Sequence, residues 1–150
     1  MSVPFKCPII AALIVRRGDE ILLLKRTGTG LFDGEWAFVG GKVDAGESPR
    51  EAIIREAREE IGLTLDPNFK MVQSIINPSI ETPGTTWQDL TFIFDVTLKD
   101  DQIPINMEPG KHGEMTFFKR DNLPSPLLFL VTTTLESIAQ GKTYGEICQR

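Results

Sequence analysis

Apolar, branched residues occupy positions 9–15, and a second run, Ile-Leu-Leu-Leu-Lys, follows at 21–25. The polar stretch Arg16-Arg17-Gly18-Asp19-Glu20 between them predicts a hairpin of two strands. Residues 27–35 hold Gly28, Gly30 and Gly34 and read as a loop, and 36–39 as a short apolar strand ending at Gly40-Gly41. The clearest helix covers 48–61. Ser48 can cap it, Pro49 suits its first turn, and Glu51 completes a Ser-x-x-Glu capping box. Gly62 stands where a left-handed C-terminal residue belongs. With about 100° between residues, Ile53, Ile54, Ala57 and Ile61 share one arc and are expected to face the core.

Further along, 70–76 reads as a strand and 77–86, with Pro78, Pro83 and Gly84, as a loop. Residues 91–98 alternate, placing Phe92, Phe94, Val96 and Leu98 on one face of a strand. A polar loop at 100–113, a strand at 114–119 and a second helix at 126–140, ended by Gly141, complete the pattern. Intermixed strands and helices predict a layered α/β domain. With no repeat or linker in view, residues 1–150 are expected to form one domain.

Composition narrows the class. Hydrophobic residues make up 41% and charged residues 25%, as in globular proteins. There are 16 Lys and Arg against 21 Asp and Glu, for a net charge of −5. That balance argues against polymeric nucleic acid as a partner. A small anionic ligand stays compatible if cations or a local basic patch offset the charge. Cys7 and Cys148 form no metal or disulfide pattern and are expected to be reduced thiols of a cytoplasmic protein. No apolar run is long enough for a membrane helix, and the apolar stretch 7–15 reads as a buried strand, not a signal peptide.

The chemistry concentrates around the first helix. Glu56, Glu59 and Glu60 are spaced i, i+3, i+4 and point the same way beside the apolar arc, with Glu47 in the preceding loop. Arg55 can pair with Glu51 and with Glu59 at i, i+4. The remaining like charges suit either a solvated acidic face or a hard divalent cation, for which carboxylate oxygens are the preferred ligands.

The surrounding residues decide between these. Gly41-Lys42-Val43-Asp44-Ala45-Gly46-Glu47 is followed, seven residues later, by Arg55-Glu56-Ala57-Arg58-Glu59-Glu60-Ile61-Gly62-Leu63. This resembles the Nudix box, G-x5-E-x7-R-E-U-x-E-E-x-G-U, with U aliphatic, and every fixed position is present. Ala57 stands where the family places a bulkier aliphatic, and Val39 where many members have Pro. The second strand and the Gly34-Glu35-Trp36 approach to the box extend the likeness.

The resemblance implies a three-layer α/β/α sandwich with a mixed sheet. It implies hydrolysis of a nucleoside diphosphate linked to another moiety, with Mg²⁺ or Mn²⁺. On this chain it makes Glu56, Glu59 and Glu60 metal ligands and Glu47 a further ligand or supporting group. The Gly40 carbonyl would join them, and Arg55 would orient the glutamates. Arg26, Gly41 and Lys42 would contact the phosphates. The proton acceptor would be Glu56, Glu59 or Glu60, with Glu108 and Glu114 as later alternatives. Phe32, Trp36, Trp87 and Phe118 are the aromatic residues that could stack on a base, against the plainer reading of core packing. His112, the single histidine, is expected to be exposed and its replacement by alanine nearly silent.

The preferred substrate within this reading is a nucleoside triphosphate, as for MutT-like members, with oxidised or non-canonical deoxynucleoside triphosphates as one natural group. ADP-ribose or a nucleotide sugar is the alternative, and a capped nucleic-acid end is disfavoured by the acidic balance. A non-catalytic binding domain is the reading from another class, set against by the intact glutamates. The chain would act as a monomer or a homodimer.

Overall fold

In the computed structural model, which describes residues 2–149, the predicted hairpin forms from β1 (Ile9–Arg17) and β2 (Glu20–Arg26). The two strands pair only beside their turn, at Arg16 with Ile21 and Arg17 with Glu20. Beyond that they part, and two short strands fill the gap. β3 (Trp36–Ala37) pairs with β2, and β4 (Val39–Lys42) pairs with Ile10 to Leu13 of β1. The sequence predicts one strand here that stops at Gly40-Gly41. Instead both glycines lie within β4, opposite Ala12 and Ala11.

After α1 (Pro49–Ile61), β5 (Asn68–Pro78) and β6 (Thr86–Thr97) make an antiparallel pair, and β6 runs parallel to the free side of β1. β7 (His112–Lys119) lies against β2. α2 (Leu130–Ala139) then leads into β8 (Tyr144–Cys148), parallel to β5. The result is a mixed sheet of eight strands.

Alternation along the central strands builds two cores. Ala11, Leu13, Val15, Leu22 and Leu24 face Ile53, Ala57 and Ile61 of α1. Ala12, Ile14, Ile21 and Leu23 face Leu130, Val131 and Leu135 of α2. These are the three α/β/α layers expected from the family resemblance. Phe92, Phe94, Val96 and Leu98 share the α1 side, as predicted. Ile54 departs from the predicted arc and is only half-buried, at its edge.

The α1 caps are those read from the sequence. The Ser48 hydroxyl accepts from the Glu51 amide, the Glu51 carboxylate accepts from the Ser48 amide, and Gly62 is left-handed at φ 72°. The second helix begins four residues later than predicted. The Pro126 carbonyl and the Leu128 amide are bonded to the Trp36 backbone instead, which holds 126–128 beside β3, and Phe129 turns into the helix. β8 has no sequence signal because only Ile147 of its residues is buried, and its hydrogen bonds come from docking on β5. Among the described residues, no helix is long and apolar enough to cross a membrane. Cys7 and Cys148 are both free thiols.

Candidate active site and adjoining cleft

β4 delivers its two glycines to the face of α1 that carries the carboxylates. A Cβ on Gly40 would overlap the Ala11 carbonyl oxygen, and one on Gly41 would overlap the Glu56 carboxylate. Gly40 is thus required by its close approach to β1, whereas at Gly41 a Cβ would push the end of the Glu56 side chain aside. The Gly40 amide donates to Glu60 Oε2 at 2.9 Å. Glu60 is 4% exposed.

Arg55 is the hub of the cluster. Its Nη2 donates to Glu47 Oε1 at 2.7 Å and to the Lys42 carbonyl at 3.1 Å, and its Nε donates to Glu47 Oε2 at 3.2 Å. Its Nη1 donates to Glu56 Oε1 at 2.9 Å and to Glu59 Oε2 at 3.2 Å. One guanidinium thus fixes the loop and three of the four glutamates. The ion pairs hold Arg55 above its already high range, with the Glu47 bond as the largest cause. The same bond, helped by the Asp44 amide, holds Glu47 below the usual carboxylate range.

Two carboxyls go the other way. Burial and the neighbouring Glu60 charge push Glu56 up to about 7, against the pull of Arg55. Burial also raises Glu60, against His112 and the Gly40 amide. These are the marks of a site that stores negative charge without enough protein cations to balance it. Such oxygen donors fit a hard divalent cation. Glu56, Glu59, Glu60 and Glu47 would hold it.

The linkage has a sign. A carboxyl raised from 4.5 to about 7 by folding favours the native state while protonated. Its stabilisation is complete below about pH 4.5 and is lost as pH rises through about 7. A cation bound to the carboxylates reverses the loss. The rise in melting temperature on adding Mg²⁺ is therefore expected to be larger at pH 8 than at pH 5.5. Equal rises at both pH values, by calorimetry, would show that Glu56 does not meet the cation.

His112 overturns its expectation. It is 6% exposed, not solvated, because it is the first residue of β7 and not part of the preceding loop. Its Nε2 lies 2.9 Å from Glu60 Oε1. The contact is off the N–H line, and neither ring nitrogen has a hydrogen-bond partner among the described residues. Ligand atoms of Glu60, Glu108 and His112 lie within 4.8 Å of one another. The loop carrying Glu108 is stapled to α1, since the Ile105 and Met107 amides donate to the Ile61 and Glu60 carbonyls at 2.9 and 3.0 Å. His112→Ala is now expected to lower stability by about 2 kcal/mol by removing a packed ring beside a buried carboxylate. A thermal melt within a degree of wild type would restore the sequence reading.

Beside the cluster opens a mostly apolar cleft of about 290 Å³. Gly40, Gly41 and Lys42 form the wall it shares with the acidic cluster, and Arg26, Phe32, Trp87 and Phe129 line it further out. Phe32 is held at φ 55°, an uncommon conformation for a bulky side chain.

The NUDIX domain family profile matches residues 6–137. The chain belongs to the Nudix hydrolase family. It is 44% identical over 54 residues to the CTP pyrophosphohydrolase of Escherichia coli, covering 36% of this chain and 40% of that one. It is 33% identical over 112 residues to the ADP-ribose pyrophosphatase of Methanocaldococcus jannaschii, covering 74% of this chain and 61% of that one. The chain thus spans about half the length of these curated relatives. Among solved structures, the MutT NUDIX hydrolase of Burkholderia pseudomallei superposes with a TM-score of 0.77 at 27% identity, over 88% of this chain and 98% of that one.

On this Nudix fold the predicted residues fall into two groups. Glu47, Glu56, Glu59, Glu60, Arg55, Gly40 and Gly41 converge, with Lys42 beside them and its Nζ 5.8 Å from the Trp87 ring centroid. Glu59 remains half-exposed. Arg26 reaches the cleft wall, but its guanidinium already donates to the Leu31 carbonyl at 2.9 Å and to Thr29 Oγ1 at 3.3 Å. Glu108 joins Glu60, whereas Glu114 pairs with Lys25 at 4.0 Å on an exposed strand. Of the aromatic residues, Phe32 and Trp87 line the cleft, while Trp36 and Phe118 pack edge-to-face at 4.9 Å in the α2 core.

Proposed function

We propose that this Nudix protein is a Mg²⁺- or Mn²⁺-dependent pyrophosphohydrolase acting on a small nucleotide, a nucleoside diphosphate linked to another moiety. We take residues 1–150 as a single Nudix domain, working as a monomer or homodimer in the cytoplasm. The observation that carries the reading is the Arg55 hub, which holds three glutamates of the box beside an apolar cleft, across the wall formed by Gly41 and Lys42. A purely solvated acidic face has no reason to bury Glu60 or to crowd the Glu56 carboxylate against Gly41.

The residues divide the work. Glu47, Glu56, Glu59 and Glu60 hold the cation, with the Gly40 carbonyl as a further ligand. When bound, the cation offsets pyrophosphate charge and acidifies a water. Arg55 keeps the carboxylates in place without touching substrate. Gly41, Lys42 and Arg26 border the phosphates, where Lys42 adds positive charge and the glycine leaves room. One of the box glutamates takes the proton of the attacking water, and Glu108 is the alternative because it lies against Glu60.

A nucleoside triphosphate is the first choice of substrate, supported by the likeness to the CTP pyrophosphohydrolase and the MutT structure. ADP-ribose is the second, supported by the longer match to the M. jannaschii ADP-ribose pyrophosphatase. The test is phosphate and pyrophosphate release from triphosphates, oxidised triphosphates, ADP-ribose, nucleotide sugars and dinucleoside polyphosphates, with Mg²⁺ and with EDTA. Release that EDTA abolishes is expected from one of these groups. No release from any of them, with Mg²⁺ bound, would favour a binding domain.

A further inference from the structure

Three strands of the sheet, β5, β6 and β8, are well covered on one face only. On the α2 side Met71, Ile75, Ile93 and Ile147 are buried in the core. On the other side α1 packs mainly on β1 and β4 and leaves most of these three strands open. The strand register sets out what stands there. Phe92 is level with Val72 and Tyr144, Leu90 with Ser74 and Glu146, and Gln88 with Ile76 and Cys148. Phe92 packs at the margin of the α1 core, which fixes the side that these rows face. Phe69 joins them, with its ring centroid 6.2 Å from that of Phe92. Ile9 of β1 stands beside Leu90.

A sheet with one buried face normally turns polar side chains to the other. This one does not. Phe69 and Tyr144 are 51% and 55% exposed, and Ile9 and Leu90 are 38% and 37% exposed. Val72, Ile76 and Phe92 are half-buried beside them. Glu146 is the one charged side chain in these rows, and it stands on β8, the edge strand. The Tyr144 hydroxyl donates to it at 2.8 Å. A contiguous apolar face of this kind marks a surface that another molecule covers.

We infer that a second copy of this chain covers it, as a two-fold dimer in which the open faces of β5, β6 and β8 pack together. Such an axis sets a patch on itself, and a patch charged only at its edge permits that without opposing two carboxylates at the centre. The rows expose roughly 700 Å², near the about 800 Å² per partner of a standard interface. Stacked sheets lie about 10 Å apart, which is also about the width of a helix. A second sheet therefore seats beside α1 without displacing it. An axis along the strands carries the α1 of each copy past the β8 edge of the other. The inference goes beyond the proposed hydrolysis, which does not depend on it.

The test is sedimentation of the full chain from about 1 to 500 µM, where a monomer–dimer equilibrium with a micromolar dissociation constant is expected. Phe69→Lys and Leu90→Lys are each expected to weaken the dimer at least about tenfold by placing a charge in the contact. Neither residue lines the cleft or touches the acidic cluster, so metal-dependent release should be unchanged in both. Alkylation of Cys148 in a Cys7→Ser chain reads the same face without a lysine in it. Its rate is expected to fall as the dimer forms. A wild-type chain that stays monomeric across the range overturns the inference and leaves the face to a different partner. A dimer that both folded lysine variants retain overturns it too, as does a Cys148 rate that dimer formation leaves unchanged. Loss of the dimer in the variants with release intact supports it. Absence of release from every form, with the dimer present, would sink the hydrolase reading and leave this inference standing.

Discussion

Glu56→Gln is expected to lower kcat by about 100-fold or more while raising the melting temperature of the metal-free protein at pH 8. The two effects share one cause. The Glu56 carboxyl is buried beside Glu60 and pushed up to about 7, so its charge opposes folding above neutrality. Gln keeps the shape and a carbonyl oxygen but carries no charge. Removing the charge should stabilise the EDTA-treated protein by roughly 1–3 kcal/mol at pH 8. On the proposed assignment it also removes a ligand from the cation. Turnover with Mg²⁺ and calorimetry in EDTA read the two arms separately. Near-wild-type turnover would take Glu56 out of the ligand set. A lower melting temperature would mean that its bond to Arg55 outweighs the cost of burial.

Arg55→Ala is expected to fail in both respects, with a rate loss of about 100-fold and a stability loss of roughly 2–3 kcal/mol. Without the guanidinium, Glu47, Glu56 and Glu59 lose their shared partner and the Lys42 carbonyl loses a donor. Saturating Mg²⁺ should recover part of the melting temperature, since the cation offsets the same charge. Arg55→Lys should recover little activity. A single ammonium cannot hold Glu47 at two oxygens and reach Glu56 and Glu59 as well. Full rescue by lysine would reduce Arg55 to a point charge, and an unchanged melt in the alanine variant would remove it as the hub.

The parts of this architecture that local chemistry controls are legible in the sequence. α1 announces itself through Ser48, Pro49, Glu51 and Gly62, and each does what its residue type dictates. The i, i+3, i+4 glutamates follow from helix geometry alone. The parts set by docking are not legible. β8 exists because β5 offers a free edge, and 126–128 stays out of α2 because Trp36 takes its hydrogen bonds. His112 is the instructive failure. The strand pairs Lys25 with Glu114 and Arg26 with His112, skipping Gly113. Plain alternation would place His112 on the side of Phe118, in the α2 core. The bulge turns it to the opposite side, against Glu60. The cleft is equally opaque, because it joins residues from separate strands through a register that one chain does not reveal.

The stapling of 105–107 to the end of α1 gives a segment without regular structure the lifetime of a helix. The Ile105 and Met107 amides can exchange with deuterium only when 105–107 and the end of α1 come apart. Those two protons therefore serve as built-in clocks for detachment of the segment that leads to Glu108. Slow exchange there, set against the faster exchange of neighbouring exposed amides, would time how long that segment stays seated on the helix that carries Glu60.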